Sequence, residues 1–331
     1  MRVACFSTKP YDRSFLSEAA SGSDHQIHFL QPALDSTTTI LAEGCQAVCA
    51  FVNDTLDQGV IEDLHRRDVT YIVMRCSGVN NVDLTAAKRV GVRVARVPRY
   101  SPHAVAEHTV GLVLTLNRKI HKAYNRVREN NFSIDGLLGF DLHGRTFGII
   151  GTGAIGLTLA TIIAGFGCDI VLHDPFPNQA GRELGQYASL DDLLATSDIV
   201  SLQCPLTPET HHLIDANRID KMKPGAMLVN TSRGGLIDTS AAIEGLKSGQ
   251  LGGLAIDVYE EESGVFFEDL SQQVIQDDIL SRLMTFPNVL VTSHQAFFTR
   301  EALETIARTT IDNLNAFSSG ESFDNEVIAR H

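Results

Sequence analysis

The sequence predicts an α/β protein built from two doubly wound parallel sheets. Three observations carry that expectation. Short apolar runs alternate with polar, helix-like stretches along nearly the whole chain. The glycine-rich segment Gly148-Ile-Ile-Gly151-Thr-Gly153-Ala-Ile-Gly156 opens one such run far from the N-terminus, so a separate structure must precede it. A chain of 331 residues is long enough for two domains.

The first hundred residues predict strands at Arg2–Phe6, Ile27–Phe29, Ala47–Phe51, Tyr71–Arg75 and Arg93–Arg96. Predicted helices between them are Asp12–Ala20, Asp57–Arg67 and Asp83–Val90. This is an α/β domain without a glycine fingerprint. Pro98 and Pro102 punctuate the chain, and one long helix is predicted over Ala104–Asn130, enough to link two domains. The rhythm resumes with strands at Thr146–Ile150, Asp169–His173, Ile199–Leu202, Met227–Asn230, Gly253–Asp257 and Val289–Thr292. Six strands suit two mononucleotide-binding halves. A last helix is predicted over Thr299–Phe317.

Composition narrows the function classes. The chain is 44% hydrophobic and 20% charged, which suits a globular protein with sizeable cores. A net charge of −13 argues against nucleic acid, whose phosphates need a basic face. Met1 to Thr8 reads as a first strand and not as a signal peptide. The longest apolar run, Val110 to Leu116, is closed by Asn117 and Arg118, far short of a membrane span. A cytoplasmic protein is the expectation. The six cysteines form no C-x-x-C pair and read as small buried thiols. The histidines are scattered, and His211-His212 lacks an H-E-x-x-H setting, so no metal is predicted.

The chemistry collects at strand ends. Gly151, Gly153 and Gly156 follow an apolar strand and open a helix, and Asp174 ends the next strand. That order fits a dinucleotide: glycines let backbone N–H groups reach a pyrophosphate, the helix N-terminus favours the anion, and the acid meets the ribose hydroxyls. Arg233 follows the Met227–Asn230 run, Asp257 and three glutamates follow the next, and His294 follows the last. Taken singly, Arg233 reads as well as a surface arginine, and Glu260-Glu261-Glu262 as a solvated charge run. Together they suit reduction of a 2-oxo acid. An arginine clamps a carboxylate, a histidine protonates the carbonyl oxygen as hydride arrives, and an acid orients and charges the histidine.

These and other segments resemble the D-isomer-specific 2-hydroxyacid dehydrogenases, nearest their lactate-acting branch. The resemblance runs through Arg75-Cys-Ser-Gly-Val-Asn-Asn-Val-Asp83, Val97-Pro-Arg-Tyr-Ser-Pro-His-Ala-Val-Ala-Glu-His108 and Cys204-Pro-Leu-Thr-Pro-Glu-Thr210. It continues in Asn230-Thr-Ser-Arg-Gly-Gly-Leu-Ile-Asp238, Asp257-Val-Tyr-Glu-Glu-Glu262 and His294-Gln-Ala-Phe-Phe-Thr299. Thr8-Lys-Pro-Tyr-Asp12, Val265-Phe-Phe-Glu-Asp269 and Val274-Ile-Gln-Asp-Asp278 resemble the lactate branch itself.

The resemblance implies a flavodoxin-like substrate domain, residues 1–100 and 299–331, interrupted by a Rossmann NAD-binding domain, 101–298. It implies a cleft between them that closes by hinge motion, and a homodimer or homotetramer. Arg233 would hold the substrate carboxylate, His294 donate the proton and Glu262 pair with His294. That choice of glutamate comes from the family pattern alone. Ser77, Gly78 and Val79 would offer backbone donors to the carboxylate, and Tyr100 would line the pocket. Ala154 and Ile155 would lie along the pyrophosphate of NAD, with Asp174 on its ribose. Cys204, Pro205, Thr210, Thr231, Ser232, Arg233 and Asp257 would surround its nicotinamide half. The expected reaction is pyruvate to D-lactate with NADH. Another small D-2-hydroxy acid is the alternative: hydroxyisocaproate, glycerate, or a phosphoglycerate served by Arg75, Arg96 and Arg99. A corepressor-like NAD-binding regulator is a remoter one.

Overall fold

A computed structural model describes residues 1–262, 264–320 and 323–328. The chain divides into two compact units, Met1–Ser101 with Phe298–His331, and Pro102–Phe297. Of the tail expected to join the first domain, residues 321, 322 and 329–331 lie outside the described residues. Strands run in chain order as β1 (Arg2–Cys5), β2 (Gln26–Phe29), β3 (Ala47–Ala50), β4 (Tyr71–Met74), β5 (Arg93–Ala95), β6 (Thr146–Ile150), β7 (Asp169–His173), β8 (Gln186–Tyr187), β9 (Ile199–Leu202), β10 (Ala226–Asn230), β11 (Leu251–Ile256), β12 (Val289–Val291) and β13 (Glu326–Val327).

The first unit's sheet has the order β13-β5-β4-β3-β1-β2. Apart from β13 this is the 2-1-3-4-5 order of flavodoxin-like sheets. Its central strands are buried on both faces, which is why they read as continuous Val, Ile, Ala and Cys. Aspartates start two of the helices. Asp57 accepts the Val60 N–H at 2.9 Å and Asp83 the Ala86 N–H at 2.8 Å, filling donors that a helix start leaves open. The helix Arg300–Ser319 packs Ala307, Ile311, Leu314 and Phe317 against Val3, Cys5 and Val73 of this sheet. β13 pairs antiparallel with β5, where an all-parallel sheet is expected. Two residues show no periodicity. Their hold comes from Arg93, whose fork donates to both oxygens of Glu326 at 2.8 and 2.7 Å.

The second unit's sheet has the order β12-β11-β10-β9-β6-β7-β8, parallel throughout. This is the 3-2-1-4-5-6 winding with one further strand. The six expected strands are present; β12 lies beyond the winding, and the two-residue edge strand β8, its third strand, is the one the sequence did not predict. The order reverses between β6 and β9, where ligands bind in such sheets. The predicted helix over 104–130 is two helices, Pro102–Asn117 and Ile120–Arg128. The side chain of Asn117, the last residue of the first helix, donates to the Phe140 carbonyl at 2.7 Å and accepts the Phe140 N–H at 2.9 Å. Lys119 then takes φ +51°. The first helix buries Val105, Leu112, Val113 and Leu116, whereas the second buries nothing. Among the described residues no helix is long and apolar enough to cross a membrane.

Candidate active site

The glycine loop is shaped by close backbone approach. Gly151 has φ +100°, and a Cβ there would lie 2.6 Å from the Gln203 carbonyl. A Cβ on Gly156 would run into the Gly151 carbonyl oxygen, so the helix Ala154–Ala164 packs directly on the loop. Gly153 caps that helix and faces open space. The N-terminal N–H groups of the helix, at Ala154 and Ile155, follow at once. Asp174 sits just past β7. One carboxylate oxygen accepts the Thr152 N–H at 2.7 Å and the Thr152 hydroxyl at 3.1 Å, and the other accepts the Phe176 N–H at 2.9 Å. Thr152, which sequence reasoning missed, therefore holds the carboxylate in place. Arg182 is spent over the Tyr187 ring, 5.5 Å from its centroid. A narrow glycine bend, an open helix start and a fixed acid fit a dinucleotide.

The residues expected at the nicotinamide half form a bonded surface past β9 and β10. Thr210 donates to the Pro205 carbonyl at 2.7 Å, and Ser232 donates to the Cys204 carbonyl at 2.6 Å. The Thr231 hydroxyl meets that of Thr109 at 2.8 Å and the Gln203 amide at 3.1 Å. Burial pushes the Cys204 thiol up to about 11, so it stays protonated and unreactive near neutral pH.

Arg233 follows β10. Buried Asn230 braces that turn, donating to the Arg233 carbonyl at 2.8 Å and accepting the Ser232 N–H at 3.0 Å. The guanidinium makes one hydrogen bond, Nη1 to the Ser232 carbonyl at 2.7 Å, and no carboxylate pairs with it among the described residues. His294 follows β12 in left-handed backbone, φ +49°. Its Nδ1 lies 3.0 Å from Glu262 Oε1. Its Nε2 has no protein partner among the described residues. The Phe267 and Phe297 rings flank it at 5.6 and 6.5 Å between centroids.

Asp257, expected at the nicotinamide half, is enclosed by protein groups. It has no accessible surface. Its carboxylate accepts from the Thr292 hydroxyl and from the N–H groups of Gln295 and Ala296 at 2.9 and 2.8 Å, and lies 3.3 Å from His108 Nε2. Burial pushes its carboxyl up, but the bonds from His108, Thr292 and Gln295 outweigh this and hold it below its ordinary value. Its backbone carbonyl also accepts the His294 N–H at 2.7 Å. Asp257 therefore stands behind the site and fixes the turn that carries His294. His108 lies inside a quoted motif, but nothing in its spacing pointed to Asp257.

The three glutamates separate by partner. Glu262 meets His294. Glu260 meets His212 Nε2 at 2.6 Å and the Thr239 N–H at 2.9 Å, and Glu261 is exposed.

In the first unit, Ser77, Gly78 and Val79 form the loop after β4. Among the described residues none of their three N–H groups has an acceptor. Arg96 donates to the Ser77 carbonyl at 2.9 Å. Arg75 is 1% exposed, 3.1 Å from Asp12, and also donates to the Ser7 carbonyl at 3.0 Å. It is a core ion pair, which explains the Asp12 of the N-terminal motif and removes Arg75 as a phosphate ligand.

Residues 110–296 match the family described as D-isomer specific 2-hydroxyacid dehydrogenase, NAD binding domain. The D-lactate dehydrogenase of Escherichia coli is 49% identical over 99% of this chain and 100% of its own. The apo-structure of that species' D-lactate dehydrogenase superposes with a TM-score of 0.91 at 47% identity, covering 99% of this chain and 100% of that one. The pyruvate reductase of Chlamydomonas reinhardtii superposes with a TM-score of 0.93 at 44% identity, covering 98% of each chain.

Proposed function

Because this chain belongs to the D-isomer specific 2-hydroxyacid dehydrogenases, as an NAD-dependent enzyme of that family, we propose that it reduces pyruvate to D-lactate. The observation that carries the reading is the carboxylate-tethered histidine, His294 Nδ1 to Glu262 Oε1 at 3.0 Å, with Nε2 left over. When bound, NADH supplies a hydride for the carbonyl carbon. Arg233 holds the substrate carboxylate through two parallel charge-assisted hydrogen bonds. Its guanidinium has no internal carboxylate partner among the described residues, which supports that role. His294 donates a proton from Nε2 to the carbonyl oxygen, where negative charge develops. Glu262 fixes the orientation of the His294 ring through Nδ1. Asp257 keeps the His294 backbone in place.

The same reading makes the first unit the substrate domain and the second the NAD-binding domain. Ser77, Gly78 and Val79 are its backbone donors for the carboxylate, supported by their three unmatched N–H groups, and Tyr100 lines its pocket. The glycine loop and Asp174 hold the pyrophosphate and ribose. Cys204, Pro205, Thr210, Thr231 and Ser232 surround the nicotinamide. A homodimer or homotetramer is supported by the exposed apolar side chains of Ile120, Tyr124, Val127, Phe132, Ile134 and Leu138; Leu138 is 87% exposed. A small-molecule substrate, no nucleic-acid partner and a cytoplasmic location complete the reading, in keeping with the charge of −13.

The test is initial rates with pyruvate, 2-oxobutyrate, 2-oxoisocaproate and hydroxypyruvate, with chiral analysis of the product. Pyruvate is expected to give the highest kcat/KM and D-lactate the only enantiomer. A preference for 2-oxoisocaproate or hydroxypyruvate would move the enzyme to another branch of the family. Light scattering of the purified protein checks the oligomer.

A further inference from the structure

The three loops that follow β9, β10 and β11 carry the proposed nicotinamide surface, Arg233 and Glu262. One side chain ties all three together. The Glu260 carboxylate takes the His212 ring at 2.6 Å on one oxygen. Its other oxygen accepts the Thr239 N–H at 2.9 Å and the Thr239 hydroxyl. The His212 N–H donates to the Gly235 carbonyl at 2.8 Å, two residues past Arg233. A Cβ on Gly234 would collide with the Tyr259 carbonyl and the Glu260 N–H, so the Arg233 turn lies directly on the glutamate turn. Glu260 stands two residues before Glu262. Among the described residues that turn is also held by the weak bond from Tyr259 N–H to Glu262 at 3.4 Å, by two backbone bonds to the Glu262 carbonyl, from Val265 at 3.2 Å and Phe266 at 2.9 Å, and by Tyr259, which packs with Phe266 and Leu280 and bonds Asp277.

An isolated ion pair of this exposure contributes about 0–1 kcal/mol to stability, which gives it little reason to use so many partners. Its placement gives a better one. We infer that Glu260 and His212 are positioning residues for the reduction, setting the distance between the Arg233 guanidinium and the Glu262–His294 pair. Neither touches the reacting atoms. Each acts through the backbone it pins: the His212 ring holds its own loop on Glu260, that loop's main-chain N–H at 212 reaches the Gly235 carbonyl, and Glu260 holds its own turn. The inference rests on the proposed roles of Arg233, Glu262 and His294.

The experiment uses the full chain, with rates over pyruvate and NADH, NADH binding by fluorescence, and thermal melting. In Glu260→Ala and His212→Leu, kcat/KM for pyruvate is expected to fall about 10- to 100-fold, the scale of a 1 Å misplacement. Both kcat and KM for pyruvate should contribute, while NADH affinity stays near that of the unmutated protein. His212→Gln, whose amide still donates to Glu260, should recover most of the loss. The double variant should fall no further than the worse single one, since both break one device. Should Glu260→Ala not fold, the His212 series gives the same readout. Unchanged kcat/KM in His212→Leu overturns the inference. So does a loss that follows melting temperature alone and is not rescued by glutamine. An unmutated protein that reduces no 2-oxo acid overturns the function itself, and the inference with it, so the two failures are distinct.

Discussion

Two histidine–glutamate pairs sit on one run of three glutamates, and they are built oppositely. In His212–Glu260 both carboxylate oxygens are in use and the partners come from two further loops. Among the described residues, in His294–Glu262 one oxygen meets the imidazole, the other has only the Tyr259 N–H at 3.4 Å, and the second imidazole nitrogen is unclaimed. Both Glu260 oxygens are spent, although the second ring nitrogen of His212, like that of His294, has no partner among the described residues. Glu262 keeps capacity on one oxygen, and the His294 it tethers keeps Nε2 for something that arrives. Chemical type alone does not distinguish them. What distinguishes them is how much hydrogen-bonding capacity the fold leaves unspent.

That contrast is sharpest at the histidines. His294→Ala is expected to lower kcat by about 10²–10⁴-fold, the usual worth of general acid catalysis, while NADH binding stays near normal. A wild-type kcat in that variant would break the comparison, because both pairs would then be structural. Next in size is Arg233→Lys. One ammonium cannot reproduce the fork, and losing a hydrogen bond to a charged group costs about 1.5–3 kcal/mol, or about tenfold or more in KM for pyruvate. A KM change under about threefold, roughly 0.6 kcal/mol, would mean that another group holds the carboxylate.

The cofactor preference follows. Asp174 accepts from Thr152 and Phe176, and in its proposed place at the ribose its carboxylate would repel a ribose phosphate. kcat/KM should favour NADH over NADPH, and Asp174→Ala should narrow the ratio. Equal values in the unmutated protein would remove Asp174 from the ribose.

The smallest effect concerns the third acid–histidine contact, His108 with Asp257, in which the acid is fully buried. The Asp257 carboxyl lies below the ordinary 3.8 in the folded protein. Its stabilisation is therefore present above that value and is lost as pH falls through the lower, folded one. Melting temperature between pH 3 and 7 should fall less steeply on acidification in Asp257→Asn, although the variant is less stable at neutral pH. Parallel curves would show that the carboxylate is not selectively held.

The sequence made some of this legible and hid the rest for definite reasons. The glycine bend was readable because close backbone contact demands glycine at fixed spacing: a Cβ at 151 or 156 has no room. Long parallel strands were readable from continuous apolar runs. The edge strands β8 and β13 were not, since two residues carry no period. The helix break at 118–119 was hidden because the residues after it form helix well. The break depends on Asn117 reaching Phe140, 23 residues away. Glu262 could be preferred over its neighbours only by resemblance, because the turn that aims it is fixed by Thr239 and His212 from other loops. Asp257 was readable as a polar residue at a strand end, but its complete burial was not.

His294 also bears on how this protein could drift. Its φ of +49° lies in a region that a non-glycine residue occupies at a cost of about 1–3 kcal/mol. The imidazole is thus retained against a standing thermodynamic incentive to lose it. Glycine at this position relieves the strain and forfeits the proton donor, so His294→Gly is expected to melt no lower than His294→Ala while being equally inactive. Screens that select only for heat resistance would then favour inactive variants here, and selection for turnover is what keeps the dihedral occupied. Melting curves of the two variants side by side decide it, and a lower midpoint for glycine would show that the turn carries no such tension.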